Sequence, residues 1–177
     1  MLPQVCKEFL ELIKLHLSYL FEQFGFAVVH WDKTLGSFGE ECCLIVLQSE
    51  DCRVKLYKSQ GEVNLQFGPL SAPMDWRDQT QGVRQWYYIR DILSFLRKEP
   101  LDINKLFEKM QSFETDDQQL AELSRDLQPV CERVINLFRK GIFEQWQDEY
   151  KQWREERERE FQKQYAETQW TKQEHRS

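Results

Sequence analysis

Four short segments rich in β-branched and aromatic residues constrain the fold of this 177-residue chain more than any other feature. The connections between them hold nine residues or fewer. Such connections join antiparallel neighbours, because parallel strands need a crossover of a dozen residues or more. The sequence therefore predicts a four-stranded antiparallel meander, with the strands FAVVHW (26–31), ECCLIVLQ (41–48), RVKLYK (53–58) and EVNLQF (62–67).

The strands differ in how polar and apolar residues alternate. The last two alternate, which predicts a sheet with one face in water. The segment 41–48 does not alternate, because Cys42, Leu44 and Val46 face one way and Cys43, Ile45 and Leu47 the other. This strand is expected to be covered on both faces, with the second cover coming either from the C-terminal helices of the chain or from another protein.

Helical periodicity appears before and after the strands. A first helix is predicted from about residue 3 to 24, with Gly25 as its C-cap. A second is predicted over 83–98 and is ended by Pro100, and the connection 68–82 before it is expected to pack down through Trp76.

Three further helices complete the predicted chain. Asp102 can cap a third helix that carries Leu106, Phe107 and Met110. Thr115 and Gln118 form a capping box for a fourth, and Pro129 opens the last.

These elements define an α+β protein. It has an N-terminal helix, a four-stranded antiparallel meander and a helical C-terminal half that ends in a long charged amphipathic helix. We divide the chain into an α+β domain (1–98), two short helices (99–128) and a long aromatic-striped helix (129–177).

Aromatic side chains form a stripe along that last, highly charged helix. They recur at steps of about 3.6 residues and so share one face: Phe143, Trp146, Tyr150, Trp153, Phe161 and Tyr165. Large aromatic side chains in such number are costly to leave in water. Three arrangements would shelter them: a break at Gly141 that folds the stripe across the second face of the sheet, an antiparallel homodimer, or insertion into a groove of a partner protein.

Basic residues lie beside this stripe and raise the alternative of contact with RNA or DNA, through Arg154, Arg157, Arg159 and Lys163. Glutamates are interleaved with them, however, and neutralising phosphates requires a local excess of positive charge. The sequence favours a solvated helix face over a nucleic-acid surface.

Catalytic and cofactor motifs are not apparent in the sequence. Glycine-rich phosphate loops, paired-carboxylate motifs and metal-ligand spacings do not occur. A grouping of Cys43, His30 and Asp32 could imitate a thiol nucleophile with its base, but a buried thiol is normally inert. We therefore expect no enzyme, cofactor or metal site.

Charge and cysteine content bear on partners and compartment. The net charge is −6, and all of it arises before residue 130, where 14 Lys and Arg face 20 Asp and Glu. An acidic body favours a basic partner. The five cysteines are expected to be free buried thiols of a reducing cytosol. The longest apolar run is far too short to cross a membrane.

The order of helix, meander with FG before its second strand, Trp-bearing loop and the segment WYYIRDILSFL resembles small uncharacterised bacterial α+β proteins of the immunity or defence type. This resemblance covers residues 1–98. It implies a cytoplasmic bacterial protein that neutralises a toxin by covering it.

The predicted function is therefore a non-catalytic protein-binding module. It would be an immunity or antitoxin-type inhibitor, or an accessory subunit, that engages its partner through the aromatic face of the C-terminal helix. The alternative is an accessory subunit of a nucleoprotein complex that contacts RNA or DNA through the Arg-rich turns of that helix.

Overall fold

The framework of the molecule is an antiparallel sheet with helices on one face. The structure is a computed structural model, and it describes residues 2–104 and 115–174. The five strands of the sheet lie in the order β1-β2-β3-β4-β7. They are β1 (Ala27–Leu35), β2 (Glu41–Gln48), β3 (Arg53–Ser59), β4 (Glu62–Gly68) and β7 (Tyr87–Tyr88). A separate two-stranded hairpin consists of β5 (Gln79–Thr80) and β6 (Val83–Arg84). The α+β class and the antiparallel meander are confirmed, and β7 adds a fifth strand.

Two helices precede the strands along the chain, and the others follow them. They are α1 (Gln4–His16), α2 (Ser18–Glu22), α3 (Ile89–Arg97), α4 (Asp116–Leu127), α5 (Cys131–Leu137) and α6 (Phe143–Glu174). A 3₁₀ turn, Gln128–Val130, joins α4 to α5. The predicted helix bearing Leu106, Phe107 and Met110 lies outside the described residues.

Helix boundaries depart from the sequence prediction in two places. The first helix is interrupted at Leu17, whose φ of −118° and ψ of 30° end α1 before α2 begins. A one-residue break leaves the apolar period intact, so the sequence pattern does not reveal it. The helix predicted from residue 83 starts only at Ile89, because residues 83–88 form β6 and β7 instead.

Two predicted caps are confirmed. Gly25 has a φ of +66°, and the N–H of Phe26 donates to the Leu20 carbonyl at 3.0 Å, which closes the end of α2 beyond a left-handed glycine. At α4, the Thr115 hydroxyl accepts from the Gln118 N–H while the Gln118 side chain accepts from the Thr115 N–H.

The main hydrophobic core lies between the sheet and the helices. It draws side chains from each of the three predicted segments of the chain, including Ile45 of β2, Leu120 of α4 and Trp146 of α6. The helix-facing side chains of β2, β3 and β4 are buried there, with α1 packed against β2 and α4.

The second face of the sheet is covered at β2 by the connection after β4, where the sequence analysis expected the C-terminal helices or another protein. Leu44 and Val46 of β2 pack there against Ala72 and Trp86, with Trp76 at the margin. The indole N–H of Trp86 donates to the Pro73 carbonyl at 2.9 Å, which holds the connection closed. The expected packing role of Trp76 is confirmed.

This cover also corrects the prediction of a wet face on β3 and β4. Lys55 is only 1% exposed, and Gln66 beside it is fully buried. The Lys55 ammonium donates to the Asp78 carboxylate at 2.6 Å and lies 4.9 Å from the centre of the Trp86 ring. Burial lowers the pKa of the Lys55 ammonium, and the hydrogen bond and charge of Asp78 partly offset this desolvation.

Cys6 of α1 and Cys43 of β2 form a disulfide. The prediction of five free thiols is therefore wrong for these two, whereas Cys42, Cys52 and Cys131 are free and buried. Sequence spacing could not identify the pair, because the contact depends on how α1 crosses the sheet. The cytoplasmic location, which rested on free thiols, stays a prediction.

The predicted last helix is broken at Gly141, as one of the three arrangements in the sequence analysis required. Gly141 has a φ of +87°, and its N–H donates to the Glu144 carboxylate at 2.8 Å, so α5 and α6 are separate helices rather than one that runs on from Pro129. The break lets α6 turn back onto the core.

We expect removal of the disulfide to destabilise the protein by about 3 to 4 kcal/mol, since the bond closes a loop across a sequence separation of 37 residues and restricts the unfolded chain. Urea unfolding with and without reductant measures the difference. The C6A/C43A double variant is the control, because its midpoint should not respond to reductant. An unchanged wild-type midpoint in reductant would contradict the expectation.

Gly141→Ala should lower the free energy of unfolding by about 1 to 2 kcal/mol, because a side chain at positive φ is strained even where there is space for it. The neighbouring exposed variant Lys140→Ala has no such requirement and should change stability by less than about 0.5 kcal/mol. Equal effects of the two substitutions in urea titrations would show that the turn does not depend on this backbone conformation.

Candidate functional site

The first half of the aromatic stripe belongs to the protein's own core. Phe143, Trp146 and Tyr150 are buried, and their ring centres lie 5.7, 5.3 and 5.1 Å from that of Tyr87 in β7. The stripe folds back after Gly141, as one alternative expected, but onto the helix-covered face of the sheet instead of the second face. These three side chains therefore belong to the core, and of the three only Tyr150 also borders the groove described below.

The second half of the stripe is only partly covered. Trp153 packs edge-on against Phe95 of α3 at 5.6 Å, and the Arg157 guanidinium lies 5.2 Å from its ring centre. Phe161 is partly exposed and stacks with Tyr165, which is 40% exposed, at 6.1 Å. The residues predicted for partner contact thus divide into three that are buried and three that reach the surface.

A groove runs along α6 beside this surface and has two compartments. The larger, of about 460 Å³, lies between the β5–β6 hairpin and the first turns of α6. Its lining includes Val83, Arg84, Tyr87, Tyr150 and Lys151.

The smaller compartment, of about 220 Å³, lies between α3 and the following turns of α6, with Trp153, Phe161 and Leu101 in its lining. Arg154 lines both compartments, and its ion pair with Asp91, at 3.1 Å, stands between them. From Gln147 to Phe161 the groove is about 21 Å long, at 1.5 Å per helical residue.

The rim of the groove carries charges of both signs. Within residues 2–104 and 115–174, Arg84, Arg90 and Lys151 make no ion pair, and neither do Asp148 and Glu155. Charged groups without an internal partner can pair with a ligand, and the mixture favours a polypeptide over a purely anionic molecule.

Two buried tyrosines, Tyr87 and Tyr150, border the larger compartment. The Tyr87 hydroxyl donates to the Arg84 carbonyl and accepts from the Gln147 amide, both at 3.3 Å. The buried Tyr150 hydroxyl has no hydrogen-bond partner among the residues that the structure describes. Burial raises the pKa of both hydroxyls, so they remain protonated at neutral pH.

The basic residues considered for nucleic-acid contact do not form one continuous surface. Arg154 is paired with Asp91, and the Arg157 guanidinium donates to the Glu99 carbonyl at 3.1 Å. Arg159 and Lys163 are exposed on the outer side of α6. Nucleic-acid binding through these residues stays a prediction.

The possible thiol site is not assembled. Cys43 is held in the disulfide, and the Asp32 carboxylate accepts from the Trp76 indole N–H at 2.8 Å. The free thiols of Cys52 and Cys131 are buried, and burial raises the pKa of each to about 12. In the described part of the chain, no cluster of three or more His, Cys, Asp or Glu side chains could hold a metal ion.

Two further findings concern the chain as a whole. None of the helices in the described ranges 2–104 and 115–174 is long and apolar enough to cross a membrane. Comparison with protein-family models, curated proteins and solved structures gives no match.

The sequence analysis missed the wall of the groove opposite α6. Residues 83–88 were assigned to a helix, which hid the hairpin that carries Val83 and Arg84 and the strand that carries Tyr87. The signal that could have revealed the hairpin is Gly82, which has a φ of +77° in the turn between its strands.

We expect stability to fall as the pH rises above about 9. Burial raises the pKa of Cys52 and Cys131 above the ordinary 9.0 and that of Tyr19, Tyr57, Tyr87 and Tyr150 above 10.0. The unfolded chain therefore loses protons first, and each such group lowers the free energy of unfolding by up to about 1.4 kcal/mol per pH unit.

Urea unfolding at pH 7, 9, 10 and 11 measures this loss. Tyr150→Phe removes one of the groups, so its alkaline loss should be smaller than that of the wild type. At pH 7 it should change stability little, because the hydroxyl that it removes is unpaired. Parallel pH profiles for the two proteins would contradict the assignment of a raised pKa to Tyr150.

Proposed function

We propose that this chain is a protein-binding module that holds a segment of a partner protein in the groove along α6. The observation that carries the proposal is the division of the aromatic stripe, in which buried rings fix the helix while Trp153 and Phe161 line an open groove. Aromatic side chains in a partly enclosed groove are the residues that most often dominate binding energy at interfaces.

The dimensions of the groove suit a peptide segment. A length of about 21 Å accommodates four turns of an α-helix or about six residues of extended chain. An apolar side chain of the partner would enter the smaller compartment against Trp153 and Leu101. Acidic side chains of the partner would pair with Lys151 of α6 and Arg84 of the hairpin, and basic ones with Asp148 or Glu155 of α6.

The packing of α6 prepares this surface for binding. Because Phe143, Trp146 and Tyr150 are fixed in the core, the turns that follow are held in place before a partner arrives. Less conformational entropy is then lost on association, which favours affinity.

A partner of this kind is consistent with an immunity or antitoxin-type inhibitor, or with an accessory subunit, because each acts by covering another protein. The acidic net charge of −6 favours a basic partner over an acidic one. Both statements are part of the proposal.

The test must use single substitutions, not truncation. Cutting the chain after Gln145 would remove Trp146 and Tyr150 from the core and unfold the protein.

We expect a photo-crosslinking phenylalanine analogue at Lys151 or Glu158, both exposed in the groove lining, to label one specific protein in cells that naturally produce the chain. The analogue at Glu156, exposed on the outer side of α6, should not label it. Mass spectrometry identifies the labelled protein and the crosslinked peptide.

Purified partner then allows a quantitative comparison. Phe161→Asp should weaken binding at least tenfold, because it places a charge in the apolar compartment, whereas Glu156→Lys should leave the dissociation constant within about twofold. Equal labelling from the groove and the outer side, or equal affinities of the two variants, would refute the groove as the binding site.

A further inference from the structure

β1 is an edge strand whose outer side is open. It pairs with β2 on one side only, and no backbone group of the described residues bonds to its other side. At the opposite edge of the sheet, β7 covers part of β4 and is in turn covered by α6. Open strand edges are templates for pairing with another strand.

Exposed apolar side chains concentrate on and beside this strand. Between residues 28 and 38 they are Val28, Val29, Trp31, Leu35 and Phe38, of which Leu35 is 64% and Phe38 88% exposed. Exposed apolar residues scattered singly are ordinary, but a contiguous group marks an interaction surface.

The turn after β1 presents Phe38 in a fixed position. The Gly36 N–H donates to the Glu40 carbonyl at 2.9 Å, and the Gly39 N–H donates to the Gly36 carbonyl at 3.0 Å. The Phe38 N–H donates to the Glu40 carboxylate at 3.1 Å. The turn is thus held by hydrogen bonds while the Phe38 ring extends into solvent.

The charges along β1 favour a second copy of the chain as the strand that pairs with the open edge. Two identical edge strands pair antiparallel about a two-fold axis perpendicular to the sheet, so each residue opposes one that points to the same face. The axis must then pass beside a single residue of each strand. Axes at Asp32 or Lys33 would place like charges directly opposite each other, which is destabilising.

An axis at Trp31 avoids this repulsion. It pairs Trp31 with its counterpart and places Asp32 opposite the partner's His30, and Lys33 then lies beside the bulge at the partner's Val29 and away from its own counterpart. In the same register the end of β1 lies beside the start of β1 of the other copy, so the turn that carries Phe38 comes next to the segment before Ala27 of that copy. An axis at His30 would instead bring the bulge at Val29 next to the axis.

Two features of β1 weaken the pairing of its edge with other strands. The register shift between Val28 and His30 is a bulge, and Lys33 places a charge on the edge. Both lie outside the three central pairs of the Trp31-centred register. They limit pairing in this register to its central residues, and they disfavour registers that would bring the bulge or Lys33 to the centre.

We propose that the chain forms a symmetric dimer in which the β1 strands of two copies pair antiparallel, centred on Trp31, to make one continuous sheet. The larger compartment of the α6 groove lies beside β7, at the other edge of each sheet, so the dimer leaves both grooves open. This proposal is independent of the proposed function.

Site-directed crosslinking of the full chain tests the register. In Trp31→Cys the two new thiols would lie about 5 Å apart across the axis and should form an intermolecular disulfide under mild oxidation. Thr34→Cys, also on exposed β1, would place its thiols about 20 Å apart and should remain uncrosslinked. Native cysteines should not interfere, because they are paired or buried.

Sedimentation equilibrium of the wild type and of Phe38→Ser provides the second measurement. We expect a wild-type dimer with micromolar or tighter affinity and at least tenfold weaker association for Phe38→Ser, whose exposed position makes it safe for folding. A monomeric wild type at 100 μM, equal crosslinking of the two cysteine variants, or unchanged association of Phe38→Ser would each overturn the proposal.

Discussion

The contact of Tyr87 with three aromatic rings of α6 determines the arrangement of the C-terminal half. Tyr87 lies on β7, at one edge of the sheet, and touches Phe143, Trp146 and Tyr150. Each such edge-to-face pair adds about 0.5 to 1.5 kcal/mol to the burial of the rings. Because these contacts join one helix to the sheet edge, the groove beside them has two walls that cannot move independently.

The features that the sequence predicted correctly depend on residues close together in the chain, and the features that it missed depend on residues far apart in the chain. The antiparallel strands, the Gly25 cap and the capping box at Thr115 are written in local patterns, which short segments of sequence contain in full. The disulfide between Cys6 and Cys43 and the cover over Lys55 depend on contacts between distant segments. No spacing rule along the chain encodes them, and both were missed.

The stripe on α6 shows the same limit at the candidate site. Its period revealed that the aromatic residues share a face, but Tyr150 and Phe161 occupy equivalent places in that pattern and differ in surroundings. One lies over the sheet edge and is buried, and the other lies beyond it beside α3 and the chain near Leu101. Sequence could therefore identify the aromatic face but not the turn at which the core ends and the groove begins. The sequence analysis missed the groove wall opposite α6, because the two-residue strands β6 and β7 are too short to show a period of alternation.

The two edges of the sheet differ in how they are covered. Each of the two proposed surfaces lies at one of these edges. At the β4 edge, a short strand and an amphipathic helix cover the backbone groups, and the remaining exposed aromatic surface is a groove with charged rims. At the β1 edge no helix follows, because α1 crosses over β2 and leaves Trp31 and its neighbours at the margin. A bulge and a lysine reduce promiscuous pairing there without removing the apolar surface. An edge that carries a bulge and a lysine but keeps exposed apolar side chains suits the proposed self-association, and the groove at the covered edge suits the proposed binding of a different protein.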